Sequence, residues 1–383
     1  MPHFSLSRFF LPFAFLFAAS SCTLSAQPNP PPVLAAKSWI LVEHATGQVL
    51  AANDPDSRVE PASLTKLMTA YLTFAALKAK RVTDDQLVQV STAAWKQEGS
   101  RMFIEPRTPV AVSDLIRGVI VHSGNDASVA LAELLGGNEK NFAEMMSREA
   151  RRLGMKNTHF TNPTGLPQPE HYSTARDLAT LASAIIHDFP DYYGLYSLKS
   201  FTYNRIEQSN RNRMLFIDPT VDGMKTGQTK EAGFCLVSSA LRGSRRLVSV
   251  VLGASSDTAR VQESLKLLNY GFQSHNMMRI YSANQPLKEF RVWRGAEKQV
   301  PAGFTEDFVM AMPKGKTNKI EPVLESREPI FAPLMKGQEI GVLKLTVDGE
   351  LYGSFPVVAL EDVPEGGFFG RLQDAVMLWF KNL

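Results

Sequence analysis

Three short runs in a fixed order constrain this chain more than anything else in it: Ser63-Leu64-Thr65-Lys66, Ser123-Gly124-Asn125 and Lys225-Thr226-Gly227. Together they supply two serine hydroxyls, two ammonium groups and one carboxamide. A fold that gathers them has the parts of an acyl-transfer site without a histidine, a metal or a cofactor. Singly they say little. An S-x-x-K pattern arises by chance about once in a chain of this length, and here it occurs only at Ser63. Ser274-His275-Asn276 and Ser282-Ala283-Asn284 also fit S-x-N, but both follow the third run. Lys316-Thr317 is followed by asparagine, so Lys-Thr-Gly occurs only at Lys225. The bland reading of any one run is a helix start, a turn or a strand end; the ordered set argues for a site.

Pro61-Ala62-Ser63 precedes Leu64, Leu67, Met68, Tyr71 and Leu72, the spacing of one helix face. Ser63 therefore sits near a helix N-terminus, where free N–H groups favour developing negative charge. Lys66 follows one turn on and shares that face. Serine is a weak nucleophile near neutral pH and needs a base. Lysine serves only if burial or a second cation lowers its pKa, and Lys225 is a candidate for that cation. Ser123 can pass a proton to a leaving amine, and Asn125 can orient a substrate amide. The apolar Leu115–Val121 segment before them predicts a helix end inside the core. Lys225-Thr226-Gly227 leads into Gly233-Phe234-Cys235-Leu236-Val237, a buried strand pattern. Such a strand edge can pair with an extended substrate. Lys225 and Thr226 can bind its carboxylate, and Gly227 permits close backbone approach. The oxyanion hole would come from the N–H groups of Ser63 and Gln228.

The trio, with S-x-N as its middle member, resembles that of penicillin-binding proteins and class A β-lactamases. The wider likeness is to the low-molecular-mass penicillin-binding proteins, the serine-type D-alanyl-D-alanine carboxypeptidases. It covers Trp39–Glu43, Thr46-Gly47, Pro61–Thr69, Gly99–Phe103, Ser123–Asp126, Asn162-Pro163-Thr164-Gly165-Leu166, Val221–Gly227 and Ala232-Gly233. The resemblance implies removal of the terminal D-alanine from peptidoglycan pentapeptide stems through an acyl-enzyme on Ser63. It makes Ser63, Lys66, Ser123, Asn125 and Lys225 catalytic, and Thr226, Gly227, Gln228 and Arg211 substrate-binding. It also implies that β-lactams acylate Ser63, and that no cofactor or metal takes part. Arg211 is the arginine expected to hold the substrate carboxylate, with Arg213 as the alternative. Gln228 departs from the histidine that often follows Lys-Thr-Gly. The glutamate pattern E-x-x-L-N of class A β-lactamases is absent, so β-lactam hydrolysis is expected to be slow. The rival readings are a peptidoglycan DD-endopeptidase or transpeptidase sharing the acyl-enzyme, and a non-catalytic peptidoglycan-binding protein.

Other chemistry has little support. There is no G-x-S-x-G elbow for the seven histidines to serve, no H-E-x-x-H and no C-x-x-C. His122 adjoins Ser123 in sequence, so its side chain should point elsewhere. A formal charge of +3 without a basic block argues against nucleic acid.

Residues 1–26 read as a secretory signal: Arg8, an apolar stretch from Phe9 to Ala19, then small residues before Gln27. A cut after Ala26 is favoured over lipoprotein-type processing at Cys22. The first cut leaves Cys235 as the only cysteine, an inert buried thiol on an apolar strand.

Residues 27–277 predict an α+β domain, which the resemblance makes a β-lactamase/transpeptidase-like one: an antiparallel sheet with helices on both faces. Trp39–Glu43 and Gln48–Ala52 flank Ala45-Thr46-Gly47 as a hairpin. Residues 278–365 alternate in hydropathy, as at Leu343, Leu345 and Val347, and Asp348-Gly349 is a hairpin signal. They predict a small all-β sandwich. Residues 366–383 predict an amphipathic helix with Phe368, Phe369, Leu372, Val376, Met377, Trp379 and Phe380 apolar, too short to span a bilayer. It reads as an interfacial anchor on the periplasmic face of an inner membrane; the alternative is a helix docked on the protein.

Overall fold

The computed structural model describes residues 30–314, 320–327, 329–347 and 349–381. The leader with Cys22 and Ala26 lies outside the described residues, as does Asp348.

Five strands form the central sheet, in the order Val49–Asn53, Ser38–Glu43, Arg245–Ala254, Gly233–Arg242 and Val221–Thr229. Every neighbouring pair is antiparallel. Successive strand side chains point to opposite faces. Ile40, Val42, Val237, Val248 and Val250 accordingly join one core, while Trp39, Leu41, Leu236, Leu247 and Val251 join the other. The first core holds the helices Lys66–Lys78 and Ala175–Asp188, and the second holds Asp257–Ser274. Helices thus cover both faces.

Two local departures matter. The spacing at Leu64–Leu72 predicts a one-sided helix, yet Lys66–Lys78 is buried on almost every side. Sheet and neighbouring helices enclose it, so periodicity understates its burial. The second strand of the first hairpin starts at Val49, not Gln48. The Gln48 side chain leaves the hairpin for the C-terminal domain. Its Nε2 donates to the Ala311 carbonyl at 2.9 Å and its Oε1 accepts from the Ala311 N–H at 3.0 Å. A carboxamide here imitates a strand neighbour.

The C-terminal domain is all-β. Its six-stranded sheet includes Glu339–Val347 and Glu350–Ala359, paired from Val347↔Glu350 onward. A second sheet pairs His275–Tyr281 with Phe308–Pro313. Met310 and Met312 face the small domain's core, and Ala311 packs into the first domain's. The strand beginning at His275 carries the chain across the 277/278 position.

The last helix, Phe368–Lys381, is turned inside out. Asp374 is its most buried side chain, held by the Arg294 N–H at 2.7 Å and by Lys298 Nζ at 3.0 Å. Arg291 lies at 3.6 Å from the same carboxylate. The apolar side faces outward, with Phe369 84% exposed and Trp379 63%. A helix docked for core packing would show the reverse. Among the described residues no helix is long and apolar enough to cross a membrane.

Candidate active site

Ser63 lies on a 3-10 turn, Ala62–Thr65, that runs straight into the Lys66–Lys78 helix. The turn brings the serine hydroxyl and the lysine amine together, with Lys66 Nζ 3.1 Å from Ser63 Oγ. Lys66 is fully buried. Its amine has two further partners: Asn125 Oδ1 at 2.7 Å and the Thr164 carbonyl at 2.6 Å. Burial, and then the nearby Arg211 guanidinium, lower its pKa to about 7. A lysine so lowered exchanges its proton near neutral pH, as a general base must. Among the described residues no carboxylate bonds to it.

Ser123 ends a π-helical turn, Gly118–His122, in the left-handed region at φ 61°. That conformation is uncommon outside glycine, asparagine and aspartate. It brings the hydroxyl to 3.0 Å from Lys225 Nζ. Lys225, on the edge strand Val221–Thr229, also donates to the Thr226 carbonyl at 2.8 Å. Burial first, then the charges of Lys66 and Arg211, hold its pKa well below the usual lysine range. Two hydroxyl–amine pairs thus stand side by side, each able to carry a proton.

Gly227 sits in tight space. A Cβ there would lie 3.1 Å from the Pro61 carbonyl and 3.2 Å from Leu64 Cγ. The strand closes on the nucleophile's turn at that glycine. Arg260, from the helix behind, donates to the Gly227 carbonyl at 3.1 Å. Gln228, next along, is exposed. Arg211 and Arg213 differ in use: Arg213 pairs with Asp257 at 3.3 Å, whereas the Arg211 charge acts on Lys66 and Lys225.

Asn125 already has partners within the site. Its acceptor is taken by Lys66, and its Nδ2 donates to the Glu98 carbonyl at 2.5 Å. These two bonds hold the Lys66 amine and leave one N–H and one lone pair of the carboxamide unused. Its neighbour Asp126 accepts from the N–H groups of Met102, Phe103 and Ile104 and so ties the Gly99–Phe103 segment to the site. His122 is turned away onto the Phe201 carbonyl and Gln208. Cys235 is buried, which raises its pKa to about 11.

The segment from Asn162 to Leu166 supplies what residue types alone did not reveal. Gly165 sits at φ 82°, and a Cβ there would overlap the Ala62 carbonyl at 1.8 Å. His171 ties the segment to the nucleophile's turn: its Nδ1 accepts from the Thr161 N–H at 3.0 Å, leaving Nε2 to donate to Thr65 Oγ1 at 2.8 Å. Burial keeps that ring neutral by lowering its pKa to about 4. The Asn-Pro and Thr-Gly pairs signal turns, but a backbone carbonyl has no residue-type signature.

This geometry, with each of two serine hydroxyls beside a buried lysine amine, is that of a serine acyl-transfer site. Residues 25–256 match the D-alanyl-D-alanine carboxypeptidase family, and residues 275–365 match the penicillin-binding protein 5 C-terminal domain. The chain is 41% identical over 376 residues to the D-alanyl-D-alanine carboxypeptidase DacC of Escherichia coli, covering 96% of this chain and 94% of that protein. Penicillin-binding protein 5 from Haemophilus influenzae superposes with a TM-score of 0.82 at 41% identity, covering 88% of this chain and all of the other. Penicillin-binding protein D2 from Listeria monocytogenes, in its ampicillin-bound form, covers 64% of this chain at 29% identity with a TM-score of 0.59. The chain belongs to the D-alanyl-D-alanine carboxypeptidase family, whose members are serine-type peptidases.

Proposed function

We propose that this protein removes the terminal D-alanine from peptidoglycan stem peptides through an acyl-enzyme on Ser63. The single observation that carries this is the Lys66 amine, buried and bonded at once to Ser63, Asn125 and Thr164. Neutral Lys66 takes the Ser63 proton as Oγ attacks the carbonyl of the penultimate D-alanine. The N–H groups of Ser63 and Gln228 stabilise the resulting oxyanion. Collapse breaks the peptide bond, and the leaving amine takes a proton through Ser123, backed by Lys225. Water then attacks the ester and restores Ser63. Arg211, Lys225 and Thr226 hold the terminal carboxylate. Incubation with a linear pentapeptide and with a cross-linked dimer tests the substrate: D-alanine released from the first, with the second left intact, supports the carboxypeptidase; cleavage of the cross-link alone overturns it.

A β-lactam would acylate the same hydroxyl and leave slowly: the carboxylate whose charge acts on Lys66, Asp126, is spent on the backbone N–H groups of Met102, Phe103, Ile104 and Ala127 and not on a deacylating water. Intact-mass spectrometry after addition of a penicillin should show a stoichiometric adduct on the wild type that persists for minutes. Turnover within seconds would contradict this.

The location we propose is the periplasmic face of the inner membrane, after removal of residues 1–26. The outward apolar side of Phe368–Lys381 supports it. The helix lies in the headgroup region and the β domain spaces the catalytic domain from the surface.

A further inference from the structure

The Lys66 amine has a partner on a segment that contributes no catalytic side chain. We propose that Asn162 is a positioning residue for acylation: it aims the Thr164 carbonyl at Lys66 and so decides which way that amine faces. The proposal rests on Lys66 acting as the base.

A neutral amine has two N–H bonds and one lone pair. Asn125 Oδ1 and the Thr164 carbonyl, at 2.7 and 2.6 Å, are the two shortest contacts and take the two hydrogens. The lone pair then faces Ser63 Oγ at 3.1 Å, the direction from which it must accept a proton. If the carbonyl swings away, the amine is free to rotate. An N–H can then point at Ser63, and the lone pair is lost to the reaction.

Asn162 holds that carbonyl in place. Its Oδ1 accepts from the Thr164 N–H at 3.1 Å, the Thr164 hydroxyl at 2.9 Å and the Gly165 N–H at 2.7 Å. Its Nδ2 donates to the Leu166 carbonyl at 2.9 Å. Asn162 is 5% exposed, so water cannot readily replace these bonds. Among the described residues no other side chain bonds to the Thr164 N–H or hydroxyl oxygen as an acceptor. Neighbouring contacts brace the segment without bonding to the Thr164–Gly165 peptide that carries the carbonyl: Thr69 donates to the Pro163 carbonyl at 2.8 Å, the Leu166 N–H donates to Thr164 Oγ1 at 3.2 Å, and His171 grips Thr161.

The test is stopped-flow acylation by a fluorescent penicillin across pH 5–9 (the range is about that in which lysine and histidine bases titrate), with Asn162→Ala, Asn162→Asp and Lys66→Ala beside wild type. Asn162→Ala should slow the acylation step about 10- to 100-fold, with the non-covalent binding constant unchanged. Asn162→Asp keeps the three accepted bonds but brings a negative charge towards Lys66. A carboxylate favours the ammonium form, so the rising limb of the profile should move up by about one pH unit. A role confined to loop stability would lower the melting temperature and leave the acylation rate of the folded Asn162→Ala protein at the wild-type value. Acylation by Asn162→Ala at the wild-type rate overturns the proposal. If Asn162→Ala fails to fold, Asn162→Ser, whose hydroxyl cannot span the same three bonds, is read by the same rate comparison. Wild-type acylation by Lys66→Ala would be a separate result, removing the base assignment itself.

Discussion

Lys66→Ala should lower the acylation rate constant of Ser63 by about three orders of magnitude, within the range that a positioned base contributes. The wild-type rate should rise with pH through about 7, where burial and Arg211 place the Lys66 amine. The sign follows from the species required. Below that pH Lys66 holds its proton and cannot take one from Ser63, so the rate falls about tenfold for each further unit. Above it the amine is neutral and the rate levels off. Each unit of depression from the usual lysine value reflects about 1.4 kcal/mol of preference for the neutral form. Burial is the larger cause, so the effect resists salt, which screens exposed charges far more than enclosed ones. Stopped-flow acylation of both proteins checks the prediction. A wild-type profile that is flat from pH 5 to pH 8, a span of about three units around that pKa, would remove Lys66 from the role of base.

Deleting Phe368–Leu383 should release the protein from anionic lipid vesicles by at least about a hundredfold in partition, with hydrolysis of a soluble pentapeptide within about twofold of wild type. The physical reason is the inverted helix. Its carboxylate Asp374 is buried against Arg294, Lys298 and Arg291, while Phe368, Phe369, Leu372 and Trp379 stand in solvent. Each aromatic or aliphatic side chain moved into a lipid interior gains about 1.5–3 kcal/mol, so a few suffice for stable adsorption. Residues of the three catalytic runs all lie in the first domain, so their geometry does not depend on the helix. Vesicle co-sedimentation measures the first effect and D-alanine release the second. Unchanged sedimentation of the truncated protein would reject the anchor.

The three runs were legible because they are made of side-chain identities in a set order, and the fold brings all of them to one place. The hairpin at Ala45–Gly47 and the alternation at Leu343–Val347 were legible because period two is a local property. What stayed hidden depends on distant partners. Gln48 reads as a strand residue until Ala311, far along the chain, receives its side chain. Asp374 reads as the solvent face of an amphipathic helix until Lys298 and the Arg294 N–H bury it. Asn125 reads as a substrate ligand, and its bonds to Lys66 and to the Glu98 carbonyl could not be read from its run. The Thr164 carbonyl could not be read at all, since every residue has one. Its aim is set by Asn162, which in sequence is a turn residue like many others.

The most direct test of the account is release of D-alanine from a peptide ending in D-Ala-D-Ala, by the mature protein and by Ser63→Ala. The account predicts release by the wild type, none by Ser63→Ala, and a penicillin adduct only on the wild type. Release by both proteins at similar rates would contradict it, because the nucleophile would then lie elsewhere.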